Sequence, residues 1–447
     1  MTVQSVFYAL KDNIMEPLIF PGSETGYRSE LDLFSNFHTD IGVSNCSYEK
    51  IYPLNDINTP NASLQFEYHN NNTAQYVDLA NSYMYVSGKV MKAADGAAIT
   101  ATNVSLSNNF LHSLFEDCKV QFNNVTVSNS ENQYPYISYN KTLLENSGAT
   151  KATELTSEMF YPDLKPDTGD ATNSGWKSRQ TLIAASSLVE MVGNLKSDVF
   201  SVTRYLPSGI NIKIKMVKSN PAFHFWSTDG TDEYIFKFQE CFLVLKKIQI
   251  NPTILAKHEA LWKKGEKVRI PFKSTELKTF TIPAGTFNYH SDNLFGGKLP
   301  ERIFVSFVKA DAYTGSYTKN PFNYEHFKLE SVSTVIEEMN NYGETIEVNF
   351  AEKKFLEGFR SLFSMTNSSE DGNGLTRELF AADGHVILAF NILCPPDQNS
   401  FVPMKKGQLR IQTKFRTALE KAVTIMVTGV TTKVLEIDAD RNVTVLG

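Results

Sequence analysis

Period-two alternation recurs along this 447-residue chain and restricts its fold more than any other feature. In "LQFEYH", Leu64, Phe66 and Tyr68 alternate with Gln65, Glu67 and His69. In "GINIKIKMVK", Ile210, Ile212, Ile214 and Met216 oppose Asn211, Lys213 and Lys215. In "GQLRIQTKF", Leu409, Ile411 and Phe415 oppose Arg410, Gln412 and Lys414. A polar face and an apolar face at this period mean a half-buried strand. Four further runs are apolar on both faces: "CFLVLKKIQI" from Cys241, "RIFVSFV" from Arg302, "HVILAF" from His385 and "AVTIMVTGV" from Ala422. They read as central sandwich strands, or as strands covered by a neighbouring domain or subunit.

Helical patterns are few and short. "NNFLHSLFEDC" places Leu111, Leu114, Phe115 and Cys118 on one stripe, and "EKKFLEGFRSLF" does so with Phe355, Leu356, Phe359, Leu362 and Phe363. "NPTILAKHEALWKKG" is the best delimited. Asn251 is an N-cap, Pro252 takes the first helical position, and Gly265 can take the left-handed stop. Its apolar stripe is Ile254, Leu255, His258, Leu261 and Trp262. It separates two strand-rich halves. Leu143–Arg179 is rich in Ser, Thr, Gly, Asp and Pro and reads as a long excursion between strands, either functional or mobile. The chain therefore reads as all-β: two sandwiches and few helices.

Bulk composition fits. At roughly 100–200 residues per domain the length allows two or three cores. Phe (31) and Tyr (19) suit pleated surfaces, so the aromatic content also leans towards β-structure. A net charge of −6 without a Lys/Arg block gives no electrostatic footprint for sequence-specific nucleic acid. Cys46, Cys118, Cys241 and Cys394 are dispersed, a reduced intracellular pattern. The N-terminus has no signal-peptide pattern, and no apolar run is long enough to span a membrane.

Chemistry is sparse. His38, His69, His112, His224, His258, His290, His326 and His385 are single, with no H-x-H or zincin spacing. No nucleophile elbow, dinucleotide fingerprint or phosphate loop occurs. Asn367–Glu378 approximates a calcium loop, with Asn367, Ser369, Asp371, Gly372 and Glu378 in place. Asn at its first position and Gly374 at its eighth favour a plain surface loop. "GSYTKNPFNYEHFKL" (Gly315–Leu329), after Asp311, mixes His326, Glu325 and Lys319 with four aromatics. It could be a site, a stacking surface for single strands, or sandwich packing by Tyr317, Phe322, Tyr324 and Phe327. Packing is favoured, which leaves Asp311, Lys319, Glu325 and His326 as loop and rim residues. No catalytic, cofactor-binding or metal-binding residue is expected, and no enzymatic activity.

Seven phrases in order resemble the major capsid proteins of Polinton (Maverick) elements and adintoviruses. They are "YVDLANSYMYVSGKV", "NNFLHSLFEDCKVQFNN", "YPYISYNKTLLENSG", "KTFTIPAGT", "DNLFGGKLPERIFVSFVKADAYTGSYTKNPFNYEHFKL", "DGNGLTRELFA" and "KKGQLRIQTKF…LEIDADRNV". The resemblance runs from about Glu30 to the end. It implies a double jelly roll, two eight-stranded antiparallel sandwiches side by side. The expected layout is an arm over 1–28, a first jelly roll over 29–251, a connecting helix over 252–265 and a second jelly roll over 266–447.

The resemblance also implies a homotrimer with pseudo-hexagonal outline, tiling an icosahedral shell around double-stranded DNA. Neighbouring capsomers, penton and other minor capsid proteins would be its partners, and the virion its location after intracellular synthesis. Leu143–Arg179 and the Asn/Gly loops would supply an outward tower or intersubunit clasps, and the arm would reach the inner face. Rival readings are a carbohydrate- or receptor-binding β-sandwich, marked by an aromatic platform with a carboxylate, and a cupin-type metalloenzyme. A third is a domesticated copy in an animal genome.

Overall fold

Where the sequence alternates, so does burial. Leu64, Phe66 and Tyr68 point inward while Gln65 and Glu67 do not. Ile212, Ile214 and Met216 do the same, as do Leu409, Ile411 and Phe415. The computed structural model describes Leu31, Leu33 and residues 40–447, apart from 60–61, 101–102, 229, 231, 337–342, 366–371, 383 and 394–403. The arm expected over 1–28, Cys394 and the first half of the calcium-like loop lie outside the described residues.

In chain order the first half supplies β1 (Val43–Ile51), β2 (Leu64–Tyr68), β3 (Gln75–Lys92), β4 (Phe115–Phe122), β5 (Val125–Asn129), β6 (Val189–Gly193), β7 (Ile212–Lys218) and β8 (Tyr234–Ile250). These hydrogen-bond as two antiparallel sheets, β1-β8-β3-β6 and β2-β7-β4-β5. The second half supplies β9 (Val268–Ile282), β10 (Asn288–His290), β11 (Arg302–Lys309), β12 (Leu329–Ile336), β13 (Thr345–Glu347), β14 (Ile387–Asn391), β15 (Leu409–Phe415) and β16 (Val423–Ile437). Its sheets are β9-β16-β11-β14 and β10-β15-β12-β13. Subtracting eight from each second-half label returns the first-half order. One connectivity, that of an eight-stranded jelly roll, occurs twice. Val104–Leu106 pairs with Phe225–Ser227, and Val443–Leu446 extends β16's sheet.

Each pair of sheets closes on its own core. Phe66, Val86, Ile214 and Leu243 are buried in the first, and Ile303, Val305, Phe307 and Phe415 in the second. In β11 both faces are buried, because Phe304 and Val308 point to the side away from Val305 and Phe307. The run that is apolar on both faces is thus a strand covered from outside its own sandwich.

Helices occupy the connections. They are α1 (Tyr134–Glu145) and α2 (Ser174–Leu182) between β5 and β6, α3 (Pro252–Lys263) between the halves, and α4 (Leu356–Met365) and α5 (Arg377–Ala381) between β13 and β14. Asn251 caps α3 as read, its Oδ1 accepting from the Thr253 N–H at 2.9 Å, and Gly265 has φ +84°. Of the α3 stripe, Trp262 is buried beneath the Arg441 guanidinium at 3.6 Å, but Leu261 is 49% exposed.

Two readings need correction. The helix expected over Asn108–Cys118 is a single turn, Phe110–Ser113, followed by β4. A bulge between Phe115 and Asp117 inserts one residue, so Phe115 and Cys118 face inward three apart and imitate a helical stripe. The excursion Leu143–Arg179 is largely helical and packed: Leu155, Phe160, Trp176 and Arg179 are all buried.

Candidate functional site

Gly315–Leu329 leaves β11 through a helical turn, Ala310–Tyr313, and re-enters at β12. Phe322 and Tyr324 are fully buried. Tyr317 and Phe327 are half-buried against the two cores. The polar residues of the stretch do not converge. Lys319 pairs with Asp311, and Lys309 with Glu325 at 2.5 Å. The His326 ring stacks on Phe350 at 4.4 Å, and its Nδ1 accepts from the Lys328 N–H. These contacts hold the loop between β11 and β12 against its neighbours.

What the buried rings meet is α1. Tyr139 stacks on Phe322 with centroids 4.3 Å apart, and Tyr136 stacks on Tyr313 at 5.1 Å. Tyr324 donates to Asn140 Oδ1 at 2.9 Å, and Asn140 Nδ2 donates to Thr428 Oγ1 at 3.1 Å. The first roll's β5–β6 connection thus lies over the outer face of β9-β16-β11-β14, where Thr428 pairs with Phe304 across the strands. The β6–β7 connection adds Asp198. Its Oδ2 accepts from the Thr275 N–H and Ser274 Oγ, both at 3.2 Å, and its Oδ1 takes the Lys141 ammonium at 2.7 Å. This seam joins the rolls.

The β5–β6 connection also carries buried charge. Arg179, fully buried, donates to both Asp163 oxygens at 2.8 and 3.1 Å and to the Leu106 and Tyr161 carbonyls at 2.8 Å. Lys151 donates to the Leu143 and Asn373 carbonyls, joining the β5–β6 connection to the β13–β14 connection. No carboxylate pairs with it among the described residues, and burial pushes its ammonium down to about 7. His112 lies between the Tyr134 hydroxyl and Glu158, and burial holds it below the usual imidazole range.

His224 and His385 are also buried. Burial depresses His224 to about 3; burial first, then the Lys151 charge, depresses His385 to about 4. Both are neutral in the folded chain at neutral pH, whereas the unfolded chain binds a proton near 6.5. The unfolded state therefore holds more protons between pH 6.5 and 3–4, so stability is lost as pH drops through that window. The loss expected from His224 alone is on the order of 4 kcal/mol by pH 3. Urea midpoints for His224→Phe should change less between pH 6.5 and 4 than those of the parent. Equal slopes would exclude this titration as a cause of acid lability.

The calcium-like loop is described only from Gly372. There Asn373 Oδ1 accepts from the Leu375 N–H, and Thr376 Oγ1 caps α5 by accepting from Leu379. Glu378 lies in the first turn of α5. Among the described residues no three His, Cys, Asp or Glu side chains come together as a metal site would require, and no helix is long and apolar enough to cross a membrane.

A second surface carries a row of rings. On the outer face of β1-β8-β3-β6, Tyr85 stacks on Phe242 at 4.6 Å and Tyr52 lies 5.6 Å from Phe242. The Lys50 ammonium stands 4.3 Å over the Phe242 ring. The Tyr85 hydroxyl donates to Glu190 at 2.6 Å. Tyr48 and Tyr52 are both 60% exposed.

No family model matches the sequence. An uncharacterized protein of Caenorhabditis elegans is 20% identical over 359 residues, which is 77% of this chain and 84% of that protein. Solved structures match over nearly the whole length at low identity. A chain of the Sputnik virophage superposes with TM-score 0.62 and 10% identity, covering 97% of this chain and 94% of that one. The Faustovirus major capsid protein gives 0.56 and 8%, over 90% and 92%. The mavirus major capsid protein gives 0.53 and 10%, over 97% and 96%. The fold is that of the double jelly-roll capsid proteins.

Proposed function

We propose that this chain is a major capsid protein of the Polinton (Maverick)/adintovirus kind. Three copies associate into a pseudo-hexagonal capsomer, and capsomers tile an icosahedral shell around double-stranded DNA. The observation that carries the reading is one connectivity occurring twice, with the two copies held together by a buried seam. A rigid pair of like units gives three chains six like blocks, which is what a pseudo-hexagonal outline needs. The likeness in fold to virophage and giant-virus capsid proteins supports it. The animal-encoded relative fits an element resident in animal genomes, whether active or domesticated.

On this reading the first roll ends near Ile250, α3 is the connecting element, and the second roll begins near Glu266. The chain works in the virion by association, with penton and minor capsid proteins as partners, and not by catalysis. Expressed alone, it should have the mass of a trimer in light scattering, or form shells visible by electron microscopy. A monodisperse monomer at high concentration would sink the proposal.

The rings around Phe242, with Glu190 beside Tyr85, favour a second reading, a carbohydrate-binding sandwich. Glycan binding by a monomeric chain, abolished by Tyr52→Ala, would support it.

A further inference from the structure

The two rolls repeat one connectivity, yet among the described residues only one of their two equivalent faces lies beneath a helix of the other roll. In the second roll the outer side of β9-β16-β11-β14 carries Phe304, Thr428 and Val430, all buried beneath α1 and the 198–201 turn of the first roll. In the first roll the corresponding side of β1-β8-β3-β6 carries Tyr48, Tyr52, Tyr85 and Phe242, with Tyr48 and Tyr52 60% exposed.

We infer that a second copy of this chain covers that face with its α4. The helix α4 lies between the fifth and sixth strands of the second roll, the place α1 holds in the first. Phe355 and Leu362 are buried in its own roll, while Leu356 is 50% and Phe363 43% exposed. Charges match as well as apolar surface. The helix exposes Glu357 and Arg360, and the ring-bearing face offers Lys50 and Glu190. Donor helix and acceptor face lie on different rolls, and in a threefold ring the contact between them is heterologous. Each added copy leaves one helix and one face open until a ring closes, and three copies close it.

The inference rests on the trimeric capsid reading and names the surfaces that would build the trimer. The test is sedimentation of the purified full chain and of four variants: Tyr48→Asp with Tyr52→Asp, Phe363→Asp, Lys50→Glu, and Lys50→Glu with Glu357→Lys. A trimeric parent is expected. The Tyr and Phe variants should be monomers with the parent's circular dichroism spectrum, and Glu357→Lys should restore the trimer lost by Lys50→Glu. In a Cys46→Ser background, Tyr52→Cys with Phe363→Cys should give disulfide-linked trimers and no intramolecular bond. If the parent is a trimer and the folded variants and cysteine pair leave it unchanged, the surface assignment is wrong and the capsid reading survives. If the parent is a monomer, both fall.

Discussion

Asp163→Ala is expected to destabilise the chain by about 3–5 kcal/mol, because it strands a charge that has no route to water. Arg179 is completely buried, and its Nη2 donates to both oxygens of Asp163. Its other bonds, to the Leu106 and Tyr161 carbonyls, are neutral acceptors and cannot balance the guanidinium. The site cannot relax by admitting a larger group either. At Gly175, the second residue of α2, a Cβ would come within 2.7 Å of Asp163 Oδ1. Urea denaturation monitored by circular dichroism should show a large drop in midpoint for Asp163→Ala. Removing both charges, as in Arg179→Leu with Asp163→Leu, should cost less than Asp163→Ala alone, since no uncompensated ion remains. If the double variant proves the less stable, the pair contributes more by its geometry than by mutual neutralisation.

This ion pair also marks where the sequence stops being informative. The alternating strands, such as Leu64–Tyr68, Ile212–Lys218 and Leu409–Phe415, were legible because each has one face against a core and one towards solvent, and period two records that difference. The seam has no such signature. Every turn of α1 packs against something: Tyr134, Tyr136, Ile137, Tyr139, Leu143 and Leu144 are all buried, so no polar stripe sets a period of 3.6. Its residues are also aromatic and β-branched, types that on their own suggest strands. Arg179 and Lys151 sit among Ser, Thr and Gly, in a context that normally means solvated loop. The burial of Lys151 comes from two rolls meeting, and that of Arg179 from a connection folding back on Leu106 and Tyr161, facts no local window contains. The aromatics of Gly315–Leu329 could be read as packing anchors because they recur within one short stretch. Their partners, some 180 residues earlier in the chain, could not.

The same seam sets the other large effect, at Phe322. Phe322→Ala should lower stability by about 3–5 kcal/mol, the usual range for deleting a fully buried ring. The ring touches both halves at once. It stacks on Tyr139, meets Tyr136 and Phe223 edge-on at 5.7 and 5.8 Å, and belongs to the core that includes β11 and β16. Loss of a side chain inside one roll would be felt by that roll alone. Loss here removes contact between the first roll's connection and the second roll's sheet. The pair term can be isolated. Tyr139→Ala and Phe322→Ala together should cost less than the sum of the single losses by about 0.5–1.5 kcal/mol, the range for stacked aromatic pairs. Strict additivity would mean that the rings fill space independently and that the hydrogen bonds of Asn140 and Asp198 hold the rolls together. A measurable coupling would make the stack itself part of the joint, and the paired rolls a single mechanical unit.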